Sequence, residues 1–261
     1  MLNFERKGIA LSLIKVDDDF DNKKNQLIYF SNDEDDDTIR HPYTEINIDK
    51  KNEKLYYIPN VKTERTIVYV AGKSGSGKSY WSKDYINTYH ILYPKNPVYV
   101  FSYLKDDPTL DVMKFIKRIK IHDPDFIDSE FEIDDFKDSL TLFDDCDCIK
   151  DKKLRKKIDD ILTKILQVGR HCNVSCLYLS HTICGGHETK LQLNESHAIV
   201  FFPNGVGQRT MKYLLENYLG FSKNQIKKVK TLKTRSVCIV KSCPTVVISD
   251  KKIYVVDNDE E

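Results

Sequence analysis

Residues 66–79 read TIVYVAGKSGSGKS. Residues 66–71 form a continuous apolar, β-branched run of the kind that builds a strand buried on both faces. The run passes into Gly72-Lys73-Ser74-Gly75-Ser76-Gly77-Lys78-Ser79, which matches G-x-x-x-x-G-K-[ST]. A helical pattern follows, with Trp81, Tyr85 and Tyr89 on one stripe and Pro94 beyond its end. Glycine lets the backbone fold tightly, so that successive N–H groups point inward at phosphate oxygens. The start of the following helix adds partial positive charge at the same spot. These eight residues are therefore expected to cradle the phosphates of a nucleotide, taken to be ATP. Lys78 is expected to reach the β- and γ-phosphates, and the Ser79 hydroxyl to ligate Mg2+.

Outward from this stretch, strand and helix alternate. Residues 98–103, 140–145, 173–180 and 197–202 read as strands. Residues 150–168 read as a helix, with Leu154, Ile158, Ile161, Leu162, Ile165 and Leu166 sharing a face. Residues 109–120 are expected to be helical, and Met211, Leu214, Leu215, Tyr218 and Leu219 mark another helix closed by Gly220. Ser222 and Gln225 form a capping-box pattern for a short basic helix. Strands at 236–240, 245–248 and 253–256 precede an acidic tail. This pattern predicts an α/β fold: a P-loop NTPase three-layer sandwich with a mainly parallel central sheet. The expected division is an acidic β-rich segment (1–62), a P-loop ATPase domain with a basic C-terminal part (63–256) and the tail (257–261).

The run Leu140-Thr141-Leu142-Phe143 ends in Asp144-Asp145. An apolar strand ending in an acid is a Walker B pattern, in which Asp144 organises the Mg2+ shell. A second acid beside it can accept a proton from the attacking water, so Asp145 is the candidate general base. Asp147, just downstream, reads as one more acid of a strand-end turn. The strand at 173–180 carries Ser180 and His181 at its tip, where His181 can orient water or sense the γ-phosphate. No N-K-x-D motif reads a guanine base, and no arginine-rich lid suits a nucleotide kinase.

Composition sets the outer limits. The chain has 261 residues, 40% hydrophobic and 31% charged, with 41 Lys+Arg against 40 Asp+Glu. That suffices for one α/β domain plus an appendage. Residues 1–62 hold ten basic and thirteen acidic residues, with acidic clusters at 17–21 and 33–37 that suit solvated loops. No apolar run approaches the roughly 18 residues of a spanning helix, so no membrane is expected. Seven cysteines without an export signal read as free thiols in a reducing compartment. Cys146, Cys148, Cys172, Cys176, Cys184, His181 and His187 do not have the spacing of a paired C-x-x-C ribbon, so they do not predict a structural zinc.

Together the motifs resemble the poxvirus-type DNA-packaging ATPases of large nucleo-cytoplasmic DNA viruses, within the FtsK–HerA division. The resemblance runs through GKSGSGKS (72–79), VYVFSYLKDDPTLD (98–111), LTLFDD (140–145), GRHCNVSCLYLSH (169–181) and NESHAIVFFP (194–203). It implies a homo-oligomeric ring that hydrolyses ATP and pumps double-stranded DNA into a capsid. It implies too an extra strand inserted between the P-loop and Walker B strands. A capsid or portal-region protein becomes a possible partner, and the virus assembly site in the host cytoplasm, or the virion, the expected location. The sensor is usually Gln in this division; Ser180-His181 stands in its place here.

Residues 204–249 carry nine basic residues and one acid, Glu216. Such a patch can neutralise DNA phosphates without reading sequence. Ring ATPases also complete a site with a neighbour's arginine. Arg170, Arg209 and Arg235 are candidates, and Arg170 is preferred because Gly-Arg-His matches the family pattern. Two rival readings are a P-loop phosphotransferase acting on a small acceptor and a non-hydrolysing, nucleotide-gated assembly protein.

Overall fold

The computed structural model describes residues 1–16, 25–32, 38–62 and 65–256. The acidic clusters at 17–21 and 33–37 and the tail at 257–261 fall outside the described residues. Two compact units emerge. One is Thr63–His197; the other joins Met1–Lys62 to Ala198–Glu261.

In the second of these, β1 (Leu2–Asn3), β2 (Ile9–Val16), β3 (Gln26–Phe30) and β5 (Glu53–Tyr57) form an antiparallel sheet of order β1-β3-β2-β5, while β4 (Glu45–Asn47) pairs elsewhere. Leu2, Ala10, Ile28, Phe30 and Leu55 make its buried face. In the sequence, residues 26–31 and 53–58 read as short strands, which β3 and β5 match, whereas the long β2 carries no such reading.

The unit Thr63–His197 contains β6 (Ile67–Ala71), α1 (Lys78–Leu92), β7 (Val98–Ser102), β8 (Ile116–Ile119), β9 (Leu140–Asp144), α2 (Lys152–Val168), β10 (Ser175–Ser180) and α3 (His187–Glu195). Its five strands are all parallel, in the order β8-β7-β9-β10-β6. Strands β6, β9 and β10 are buried on both faces, which is why they read as continuous apolar runs rather than alternating ones, whereas β8 at the edge is only half-buried. The chain moves from β6 across to β7, then from β9 back toward β10. Right-handed crossovers in opposite directions place α1 and α2 on opposite faces of the sheet. The result is the three-layer P-loop fold. Strand β10 lies between β6, which leads into the glycine-rich bend, and β9, which ends in Asp144.

Helix α2 shows why its sequence folds as it does. Asp151 caps it, its side chain accepting from the Leu154 N–H at 2.8 Å. The six apolar residues of its stripe are all buried. Each contributes about 1.5–3 kcal/mol by leaving water. At the far end the Arg65 guanidinium donates to the Ile165 and Leu166 carbonyls at 2.8 and 2.7 Å, adding a second donor at Ile165, whose carbonyl also accepts from the Gly169 N–H.

Residues 109–120 are not a helix. A turn starts there, with Asp107 Oδ1 accepting from the Thr109 and Leu110 N–H groups at 2.6 and 3.2 Å. It gives way to β8, which pairs Ile116 with Val98 and Ile119 with Phe101. Sheet pairing outweighs the weak helical periodicity of those residues.

The chain continues through β11 (Ala198–Phe201), α4 (Gln208–Tyr213), α5 (Lys223–Lys230), β12 (Val237–Val240), β13 (Val246–Ser249) and β14 (Lys252–Val255). Strands β11 to β14 and β4 pair antiparallel in the order β4-β14-β13-β12-β11. The expected helix around Met211 is α4 followed by a π-helical turn, Leu214–Tyr218, and Gly220 then takes φ +67°. The capping box before α5 is present: Gln225 N–H donates to Ser222 Oγ at 3.2 Å and Ser222 N–H to Gln225 Oε1 at 2.8 Å.

Candidate functional site

Because the five strands of Thr63–His197 are parallel, their carboxyl ends share one edge, where open α/β sheets bind ligands. Ala71 lies level with Ser180, and Ser102 with Asp144. The Gly72 N–H donates to the Ser180 carbonyl at 3.0 Å, so the start of the glycine-rich bend is tied to the tip of β10.

The bend itself requires glycine at two places. Gly75 and Gly77 take φ +73° and +108°, a region that side chains with a Cβ rarely enter. Gly77 opens α1, and no side chain caps that helix, so its first N–H groups have no side-chain acceptor. Ser76 Oγ is buried with no hydrogen-bond partner among the described residues. Lys73 and Ser74 are exposed, and Ser79 is half-buried on the first turn of α1. Lys78 is buried at 7% exposure, its ammonium donating to the Gly72 carbonyl at 2.8 Å. Burial pulls its pKa below the usual lysine range, against the opposing pull of Asp145, Asp144 and Asp147. A buried cation, an orphaned hydroxyl and an uncapped helix start converge on one bend, and that donor set fits a polyphosphate.

Facing it is the turn after β9. Asp144 is 2% exposed, and burial, followed by repulsion from Asp145 and Asp107, raises its carboxyl to about 7; Lys78 pulls the other way. An anion that costs this much to ionise in isolation suits a cation ligand, and with the Ser79 hydroxyl it offers oxygen donors of the type Mg2+ takes. Asp145 adopts a left-handed φ of +52°, which ends the strand and opens the short helical turn Cys146–Cys148. Arg155 of α2 holds that turn by donating to the Cys146 carbonyl at 3.0 Å.

His181 joins the two halves. Its Nε2 lies 2.7 Å from Asp145 Oδ1, and its Nδ1 lies 3.5 Å from Lys78 Nζ. An ammonium only donates, so Nδ1 is the accepting nitrogen and Nε2–H donates to Asp145. Asp147 fixes the histidine from behind: its Oδ2 accepts from the His181 backbone N–H at 2.9 Å. Ser180 Oγ does not face the cradle lysine; it donates to the Thr182 carbonyl at 2.9 Å. Asp147 is the residue that sequence reasoning passed over. The only signal for it was the run of alternating acids and cysteines, Asp-Asp-Cys-Asp-Cys.

Other candidates lie apart. Arg170 sits in the turn Gly169–Cys172 before β10, and that strand then runs about 17 Å to its tip at Ser180. It is exposed and is not brought to the cradle of its own chain. Arg209 and Arg235 are exposed in the other unit. Of the basic residues there, Lys228 has a structural occupation: its ammonium lies 4.1 Å from the Tyr254 ring centre and 3.5 Å from Glu45 Oε2. The cysteines are free, and Cys146, Cys172, Cys176 and Cys238 are buried. No helix among the described residues is long and apolar enough to cross a membrane.

No family model matches the sequence. Over 182 residues the chain is 42% identical to the uncharacterized protein V3 of Sputnik virophage, covering 69% of this chain and 73% of that one. Among solved structures it is similar to the genome packaging NTPase B204 of Sulfolobus turreted icosahedral virus 2 in complex with AMP. The TM-score there is 0.50 at 17% identity, over 72% of this chain and 98% of the other. EssC (ATPases 2 and 3) of Geobacillus thermodenitrificans aligns with a TM-score of 0.48 at 11% identity, over 84% of this chain and 46% of that one.

Proposed function

Since the chain belongs to one family with protein V3 of Sputnik virophage and shares its fold with the packaging NTPase B204, we propose that it is a viral packaging ATPase of the FtsK–HerA group, which hydrolyses ATP and uses the energy to move double-stranded DNA into a capsid. One observation carries the hydrolytic part: the buried Lys78 ammonium, the His181 ring and the Asp145 carboxylate form a continuous chain of contacts at 3.5 and 2.7 Å. That chain links the group that holds phosphate to the groups that handle water.

In this reading the bend at 72–79 wraps the phosphates with backbone N–H groups, and Lys78 leaves the Gly72 carbonyl for the β- and γ-phosphates. Ser79 and Asp144 would hold Mg2+, which when bound neutralises charge that develops on the phosphate oxygens. Departure of Lys78 frees His181 Nδ1 to accept a hydrogen bond from water. Asp145, with its carboxylate against Nε2–H, keeps the ring in that tautomer and stabilises positive charge on it. The water proton passes to this His181–Asp145 pair as the oxygen attacks the γ-phosphorus, and the diphosphate leaves. Asp147 holds the His181 backbone, and so positions the pair.

The exposed lysines of α5 and the segment after it supply sequence-independent contact with DNA phosphates. Arg170, on the opposite edge of the parallel sheet from its own cradle, is assigned to a neighbouring subunit of a ring. The direct test is phosphate release from ATP, with and without duplex DNA, alongside light-scattering mass. DNA-stimulated release by an oligomer supports the motor. Release that depends on a small acceptor supports a phosphotransferase, and no release under any condition supports an assembly switch.

A further inference from the structure

Among the described residues, one group of histidine, cysteine and carboxylate side chains is gathered closely enough to share an ion. The donor atoms of Asp145, Asp147, Cys148 and His181 all lie within 4.8 Å of one another. We propose that this quartet is a binding site for a borderline-soft divalent metal, Zn2+ by its donor chemistry, and that its occupation switches the catalytic turn off. The switching half rests on the ATPase reading above; the binding half does not.

The donor set is what separates this site from that of Mg2+. A hard cation takes oxygen ligands, as Asp144 and Ser79 offer, whereas one thiolate, one imidazole and two carboxylates are a Zn2+ set. The spacing agrees. Tetrahedral Zn2+ with bonds of about 2.0–2.3 Å spreads its ligand atoms about 3.3–3.8 Å apart. Cys148 Sγ stands 3.6 Å from Asp147 Oδ1, and His181 Nε2 stands 4.0 Å from the same oxygen. The 2.7 Å contact between His181 and Asp145 has to open, and separations wider than the tetrahedral spacing, all within 4.8 Å, have to close.

The four ligands are also positioned in advance. Three come from the single turn after β9, at spacings of two and one residues, and that turn is anchored by Arg155. The fourth comes from the tip of β10, and the His181 N–H to Asp147 bond already clamps the two elements together. Cys148 is exposed, so the ion has a way in.

Binding involves no redox step. Cys148 gives its S–H proton to solvent as the S–Zn bond forms, and the His181 ring proton moves from Nε2 to Nδ1 as Nε2 takes the metal. Both changes act against catalysis. Asp145 and Nε2 are withdrawn from each other, and Nδ1 no longer offers Lys78 or water an acceptor.

The test titrates the full chain, without nucleotide, with Zn2+ by calorimetry and with Co2+ by absorbance. The expected result is one equivalent bound and a thiolate-to-cobalt charge-transfer band. Both should weaken at least tenfold in Cys148→Ser and in Asp147→Asn, while Cys243→Ser, which removes another exposed thiol, changes neither. No stoichiometric binding, no charge-transfer band, or equal binding by Cys148→Ser overturns the site. In the turnover arm, Zn2+ should inhibit the wild type at the concentration that fills the site, with Cys148→Ser at least tenfold less sensitive. Filled sites with undiminished turnover would overturn the switch and leave the ATPase reading standing. If the wild type releases no phosphate at all, the binding arm still decides the site.

Discussion

His181 Nε2 stands 2.7 Å from Asp145 Oδ1, across the gap between the tip of β10 and the turn after β9. The pair resembles the histidine–carboxylate half of a hydrolytic triad more than a lone acid, and that changes what Asp145→Asn should do. Asparagine can still accept from Nε2–H, so the ring stays in place, but the negative charge that stabilises the imidazolium is gone. The variant should bind ATP as tightly as the wild type and turn over at least tenfold more slowly, about 1.4 kcal/mol in barrier. Nucleotide titration together with single-turnover kinetics measures both quantities. Unchanged turnover removes the pair from the chemistry.

Asp147 accepts from the His181 backbone N–H, and no hydrogen bond joins it to residues 72–79 among the described residues. Asp147→Ala should therefore lower kcat, by roughly tenfold, with KM for ATP little altered. A rise in KM with kcat intact would assign Asp147 to nucleotide binding instead.

The basic region divides by occupation. Lys227 and Lys230 are exposed on α5, whereas Lys228 is engaged by Tyr254 and Glu45. Replacing Lys227 and Lys230 with Gln should weaken duplex binding and reduce the slope of log affinity against log salt by about 2, close to one per lost phosphate contact. Lys228→Gln should instead lower thermal stability. Fluorescence anisotropy across a salt series, paired with melting curves, separates these outcomes. An unaltered slope for the double variant would make that face structural.

Glu45 gives a pH dependence with a definite sign. The Lys252 ammonium at 2.7 Å, with help from Asn47 and Lys228, depresses its carboxyl to about 2. A depressed carboxylate stabilises the fold fully above its ordinary value near 4.5 and loses that contribution as pH falls toward 2. Glu45→Gln should therefore lose stability at neutral pH and show a shallower decline between pH 4.5 and 2. Denaturant midpoints over that range test it; parallel declines in the two proteins would contradict it.

Much of this site is readable from short stretches, because its parts depend on local chemistry. The bend at 72–79 needs glycines and a lysine in fixed order, the apolar run before Asp144 marks a buried strand end, and the apolar stripe from Leu154 to Leu166 marks α2. What the chain hides depends on contacts far apart in sequence. Residues 109–120 carry a helical pattern, yet Ile116 and Ile119 are claimed by β7. The last strands, β12 to β14, belong with β4 and the N-terminal segment, a pairing that no local pattern signals. Asp147 looks like one more acid in a turn until the fold sets it behind His181. Arg170 carries a family signature, and only the direction of β10 shows that it lies at the opposite end of that strand from its own cradle.

The most direct test of the central claim is phosphate release from ATP by the wild type and by Lys78→Ala, with nucleotide affinity measured on both. A buried ammonium at the cradle predicts steady release by the wild type, and for the variant a loss of nucleotide binding together with release. Tight ATP binding retained by Lys78→Ala would contradict it.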